Sequence, residues 1–357
     1  MTRRRPPALA AAAEPDYFPG ASLRSQVLAH TLRMTVKPML GVWARWPSPL
    51  WPAGAIDHAA RILPPLEGAT HRGVHLENCD AEWIHARNVV GETAVLYLHG
   101  GGFLTCGLNT HRRLVTRISA SAGAAVLSVD YRMMPRHPIG DSVADGVDGY
   151  RWLLEQGFGA GQIVIAGDSA GGYLTFMTAR ALADLGLPRP AGLVALSPLM
   201  DMDPAGKLAH PGADRCAVFP RSVLAALTGV ADRVDNRGPT GAREPRVSPV
   251  DGVLEGLPPV LIQVGSTDIF YPDAELMAQR LATAGVPVTL EVWDRQIHVF
   301  QVAADVIPEA QRAIVQIGEF VRTTTAACAL RRDRTRLRVW IGSASGFFRR
   351  GRPLRRT

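Results

Sequence analysis

The segment Gly167-Asp168-Ser169-Ala170-Gly171-Gly172 holds a serine in a G-x-S-x-G pattern. That spacing lets a strand turn sharply into a helix with a hydroxyl at the apex. Five residues alone are a weak signal, but the context agrees. An apolar strand-type run, Gln162 to Ala166, precedes the serine, and helix-type residues, Tyr173 to Met177, follow it. A serine hydroxyl is a poor nucleophile near neutral pH and needs a base, and an oxyanion forming in acyl transfer needs donors. His99-Gly100-Gly101-Gly102-Phe103, directly after the apolar run Ala94 to Leu98, offers glycines whose backbone N–H groups approach a ligand without a Cβ in the way. The expected oxyanion donors are the N–H groups of Gly101, Gly102 and Ala170. His99, Gly100 and Asp168 are expected to support that loop. Phosphate binding is the other use of such glycines, yet neither Gly-Lys-Ser/Thr nor a dinucleotide fingerprint is present.

In the strand–turn–helix arrangement that G-x-S-x-G requires, the acid and then the base follow the nucleophile along the chain, each at a strand end. Of ten histidines, His298 fits: it follows the strand-type run Val288 to Trp293 through Asp294-Arg295-Gln296-Ile297. Asp268 fits for the acid, after the apolar run Val260 to Val264 in Gly265-Ser266-Thr267-Asp268. Asp273, five residues on, is the alternative, although its position suits a cap or first-turn acid of a helix. His71 and His75 are four apart but lie on a strand-type segment without a carboxylate pattern, so neither a metal nor another cofactor is expected.

These residues need a scaffold, and after residue 70 short β-type runs alternate with helix-length amphipathic ones. Such alternation predicts an α/β fold, a mostly parallel sheet with helices on both faces. Eight strand candidates are Arg72 to Glu77, Ala81 to Ala86, Ala94 to Leu98, Ala124 to Val129, Gln162 to Ala166, Gly192 to Leu196, Pro259 to Val264 and Val288 to Trp293. Helices are predicted over His111 to Ser121, Ser142 to Glu155, Ala170 to Leu185, Asp273 to Ala284 and Pro308 to Thr323. Two stretches break the alternation. One is residues 15 to 65, where Leu23, Val27, Leu32 and Val36 suggest an amphipathic helix; the other is Asp201 to Val247, with Pro204, Pro211, Pro220 and Pro239. Insertions this long in a compact enzyme often serve as lids.

Taken together, HGGGF at His99 to Phe103, Asp130-Tyr131-Arg132 with Pro135, His137 and Pro138, GDSAGG at Gly167 to Gly172, Ser197-Pro198-Leu199-Met200-Asp201 and Ile297-His298 resemble the hormone-sensitive-lipase family of α/β-hydrolase esterases, bacterial carboxylesterase type. The resemblance implies an α/β-hydrolase fold and a metal-free serine hydrolase that cleaves carboxylic esters. It also implies a helical cap built from an N-terminal segment, 1–65, and an insertion, 201–247, over a catalytic domain of 66–200 and 248–325, with a basic tail at 326–357. A long-chain lipase, an amide hydrolase and a non-catalytic small-molecule receptor on the same fold are the alternatives. Met134 and Arg136 stand where the family usually has Ala and Glu, which removes a carboxylate partner from a nearby arginine. The second acid of the family's D-x-L-x-D pattern is displaced to Asp273.

Charge limits the partners. Ten Arg and one Asp between Arg331 and Thr357 give +9, so of the net +7 the residues before them carry −2. The basic character belongs to the tail, and no nucleic-acid groove is expected; the expected partner is a small-molecule ester. Trp340, Phe347 and Phe348 among the tail arginines suit weak association with an anionic membrane surface, against the plainer reading of a solvated extension. Cys79, Cys106, Cys216 and Cys328 show no framework spacing. The apolar stretch Ala8 to Ala13 is shorter than a signal core, so a cytoplasmic location, at most peripheral to a membrane, is expected.

Overall fold

Runs that are aliphatic on both faces can be strands only if helices cover both sides of the sheet. β4 (Ala94–Leu98), β5 (Ala125–Asp130), β6 (Ile163–Asp168), β7 (Gly192–Leu196) and β8 (Val260–Gly265) are such runs, buried throughout except for Asp130. They form the centre of the sheet in this computed structural model, which describes residues 14–47, 53–87, 89, 91–234 and 247–347, with only the backbone for 53 and 331–347. The full order is β1-β9-β8-β7-β6-β4-β5-β3-β2. β9 is Val288–Trp293, β2 is Thr70–His75 and β3 is Asp80–His85. Pairing is antiparallel at β2–β3 and β3–β5 and parallel everywhere else.

Side chains alternate between two cores. Leu96, Ile165, Ala195 and Ile262 face α5 (Ile139–Glu155), α6 (Ala170–Asp184) and α9 (Tyr271–Thr283) through Tyr150, Leu174 and Met277. Val95, Val164, Val194 and Leu261 face α4 (Leu108–Ala122) and α10 (Pro308–Phe347) through Ile118, Ile317 and Val321. Each of the Val, Leu, Ile and Met side chains among them contributes roughly 1.5–3 kcal/mol on burial, so the sheet is a stiff base for whatever its strand ends carry.

Among the described residues the sheet has nine strands where eight were expected. The ninth, β1 (Asp16–Phe18), pairs in parallel with β9 at the edge and is too short and exposed to show a period-two pattern. Phe18 stacks on Trp293 with ring centroids 4.1 Å apart. The amphipathic helix expected from Leu23 is two helices, α1 (Leu23–Met34) and α2 (Val36–Arg45). Its inner face also differs. Leu23 and Val27 are exposed, whereas Leu28, Ala29 and Leu32 pack inward beside Ser25, whose hydroxyl donates to Gln296 Oε1 at 2.7 Å.

α3 (Ala53–Ala60) follows α2, and within the second irregular stretch lie α7 (Ala205–Ala209) and α8 (Arg221–Val234). α2 and α8 pack through Trp43, Val223 and Ala226. α10 runs past the predicted end at Thr323 to Phe347, through the arginine-rich start of the tail. The apolar stretch before Ala13, Pro239 of the second insertion and Phe348 with the rest of the tail lie outside the described residues.

Candidate active site

Ser169 sits between β6 and α6 with φ 51° and ψ −116°, a conformation that costs a non-glycine residue on the order of 1–3 kcal/mol and is kept only where neighbours enforce it. They do so here by hydrogen bonding: Ser169 N donates to Leu196 O at 2.8 Å, and Leu199 N donates to Ser169 O at 3.1 Å. Close packing adds to it, because a Cβ on Gly171 would stand 1.9 Å from Leu98 O. The motif glycine is therefore required by contact with the end of β4.

His298 follows β9, and its Nδ1 lies 2.9 and 3.1 Å from the two carboxylate oxygens of Asp268, which follows β8. A carboxylate only accepts, so Nδ1 is the protonated nitrogen and Nε2 carries the lone pair of the neutral ring. Phe219 and Phe270 hold the imidazole from two sides, at centroid distances of 4.7 and 5.2 Å. Asp268 Oδ1 also accepts from Phe270 N at 3.1 Å. Ser197, at the end of β7 with φ 45°, accepts through Oγ from Val299 N at 3.0 Å and ties the His298 loop to the sheet.

Asp273 is placed elsewhere. Its Oδ2 accepts from Met200 N at 2.8 Å and Asp201 N at 3.0 Å, and Lys207 Nζ of α7 lies 3.0 Å from Oδ1. Burial raises its pKa to about 6 even with Lys207 beside it. It anchors the start of the second insertion and does not reach His298.

The glycine loop after β4 rests on a buried polar network. Asp168 Oδ1 accepts from Tyr97 Oη at 2.8 Å and from Gly100 N at 3.0 Å, and His111 Nε2 of α4 lies 3.2 and 3.3 Å from the two carboxylate oxygens. Burial works to raise the Asp168 pKa, but the His111 charge and the hydrogen bonds from His111 and Tyr97 outweigh it and leave the carboxyl below its ordinary value. His111 is shifted up: burial opposes its charge, and Asp168 overcomes that opposition. His99, stacked on Tyr131 at 4.3 Å, is lowered to about 4 by burial and by the His111 charge. Gly100 has no room for a side chain, since a Cβ would stand 2.2 Å from Asp168 Oδ2. Gly101 (φ 118°) and Gly102 (φ 64°) carry the loop through left-handed backbone.

Ser169, His298, Gly101, Gly102 and Ala170 all line one cleft of about 940 Å³. Ala170 is the first residue of α6, so its N–H belongs to the helix's unpaired N-terminal donors. α2 and α8 supply most of the apolar wall, including Met39, Trp43, Leu227 and Val230. His111 carried no sequence signal as a site residue, because its partner Asp168 is 57 residues away. Arg132 pairs with Asp145 at 2.7 Å and Asp141 at 3.5 Å.

Known proteins match this arrangement. Residues 95–302 match a family described as alpha/beta hydrolase fold. The chain is 44% identical over 297 residues to Esterase LipU of Mycobacterium tuberculosis, covering 82% of this chain and 100% of that one. It is 39% identical over 317 residues to Carboxylesterase/phospholipase LipF of the same species, covering 87% and 84%. Among solved structures, EstE5 soaked with p-nitrophenyl butyrate superposes with a TM-score of 0.75 at 34% identity, covering 86% of this chain and 100% of that one. An esterase of the bacterial hormone-sensitive lipase family gives a TM-score of 0.74 at 32% identity, with 86% and 99% covered. The chain belongs to the α/β-hydrolase fold family, as an ester-cleaving hydrolase of the hormone-sensitive-lipase type. No helix among the described residues is long and apolar enough to cross a membrane.

Proposed function

We propose that this chain hydrolyses carboxylic esters by a two-step acyl transfer. Ser169 attacks the ester carbonyl while His298 Nε2 takes its proton, and Asp268 holds the imidazole and stabilises its cation. The N–H groups of Gly101, Gly102 and Ala170 stabilise the tetrahedral oxyanion. His298 then protonates the departing alcohol, and water repeats the sequence on the acyl-enzyme. The observation that carries this reading is the 2.9 Å pairing of His298 Nδ1 with Asp268, beside a cleft shared with a serine in left-handed backbone.

Within the two stretches expected to form a cap, 1–65 and 201–247, α2, α3 and α8 cover the cleft and their apolar wall accepts the acyl chain, whereas β1 belongs to the sheet. Ser169→Ala is expected to lower hydrolysis of p-nitrophenyl butyrate by at least about 10³-fold and to abolish labelling by a fluorophosphonate probe. Retained turnover in that variant would overturn the assignment. A rate series over longer p-nitrophenyl esters tests the cap: a rise in kcat/KM with chain length is expected, and a fall from acetate onward would count against an apolar acyl site.

A further inference from the structure

Among the described residues, the exposed charge lining the cleft beside Ser169 is of one sign. Arg45, the last residue of α2, and Arg233, in the last turn of α8, both line it. Among the described lining residues the single carboxylate is Asp168, which is buried and already engaged by Tyr97, Gly100 and His111. Neither Arg45 nor Arg233 is held by a carboxylate among the described residues. Both are exposed, and the Arg233 side chain folds back along α8 to Gly229. Such arginines cover apolar wall with their stems while their heads stay at the water boundary.

This positive pair does not reflect an overall excess. With +9 in the tail from ten Arg and one Asp, the rest of the chain has a formal charge of −2. Apolar walls with charge of one sign concentrate the field inside a cleft. A neutral ester gains nothing from it, whereas an ester whose chain ends in an anion couples to both guanidinium groups. Carboxylate and phosphate each match the guanidinium fork. We propose that the site selects esters bearing an apolar chain that ends in an anionic group, with Arg45 and Arg233 as the specificity-determining residues. The proposal rests on the Ser169 reading above and adds the substrate class.

The test compares two matched pairs of esters. p-Nitrophenyl hexanoate against mono-p-nitrophenyl adipate places a carboxylate at the acyl end. 1-Hexanoylglycerol against its 3-phosphate places a phosphate on the alcohol side. The readout is the anionic-to-neutral ratio of kcat/KM in the wild type, in Arg45→Gln/Arg233→Gln and in Arg45→Lys/Arg233→Lys. A ratio above one is expected in at least one pair, falling about fivefold in the Gln variant and recovering in the Lys variant, the scale of two partly exposed charge contacts. The pair that shows it assigns the anion to the acyl or the alcohol side. In the wild type the ratio should also fall between about 20 mM and about 0.5 M NaCl. A ratio at or below one in both pairs, a ratio unchanged in the Gln variant, or one insensitive to salt overturns the proposal. Hydrolysis of the neutral esters that is lost in Ser169→Ala keeps the nucleophile assignment standing whichever way the ratios fall.

Discussion

The floor of the cleft and its wall are built by opposite means. The floor consists of strand ends tied by buried hydrogen bonds: Asp168 to Tyr97, Gly100 and His111, Asp268 to His298, and Ser197 to Val299. The wall consists of helices α2 and α8, which meet through apolar contacts around Trp43, and exposed residues such as Met39 of α2 and Trp46 just after it face the cleft. Hydrogen bonds fix atoms to a few tenths of an ångström and suit charge that develops at one point. Apolar packing tolerates differences in shape and suits a variable chain. The contrast predicts that substitutions in the floor act on kcat and on folding, and that substitutions in the wall act on chain-length preference.

The largest effect should come from Asp268→Asn. An amide accepts and donates, so His298 loses the partner that fixes its tautomer, and kcat should drop by about 10⁴-fold while the fold is retained. Asp273→Asn is the control. Its carboxylate faces Met200, Asp201 and Lys207, so the pH–rate profile should keep its shape. A comparable loss of kcat in both variants would erase the distinction between the two acids.

Asp168→Asn should come next, lowering stability in urea by about 3 kcal/mol, because it leaves His111 without the charge that its buried ring faces. An unchanged unfolding midpoint would mean that the network contributes nothing to the floor.

Glu291 gives a smaller, pH-dependent effect on the side of the sheet that faces α10. Burial raises its pKa to about 7, against the hydrogen bonds it accepts from Gln263 and Trp293. Between the ordinary glutamate value and about 7 the folded state holds a proton that the unfolded chain has released. The contribution to stability is therefore full at the acidic end of that window and lost as pH rises through it. Glu291→Gln should match the wild type near pH 4.5 and exceed it at pH 8 by on the order of 2 kcal/mol. Urea unfolding at both pH values checks the sign.

The smallest effect should be in the wall. Trp43→Ala should lower kcat/KM for p-nitrophenyl decanoate about tenfold relative to the acetate. An equal loss on both esters would show that the wall also shapes the floor.

The two regions were unequally legible in the sequence. The floor's principal residues could be read because a nucleophile elbow, a glycine loop and two strand-end residues must follow one chain order, and Ser169, Asp268 and His298 lie in it. The structure brings His298 and Asp268 within hydrogen-bonding distance and puts Ser169 in the same cleft. His111 was not legible, since a histidine on the inner face of α4 gains significance only from Asp168 across the core. The N-terminal helices were read by hydrophobic period, and that misled for α1, where the buried contact is partly polar, Ser25 to Gln296. The first arginines of the tail continue α10, consistent with the good helix propensity of Arg.

The root of the N-terminal segment has a practical consequence. Asp294 N donates to Phe18 O at 3.0 Å, Tyr17 Oη donates to Asp294 at 3.0 Å, and Ser25 holds Gln296, all within the loop that delivers His298. Ser22 N and Oγ donate to Glu309 at the start of α10. Shortening the chain from its front would therefore cut the scaffolding of the base before it reached the roof over the substrate. A fragment beginning after residue 26 should show a sluggish His298 even toward acetyl esters too small to need a roof, and an engineered enzyme of this kind should keep its first strand.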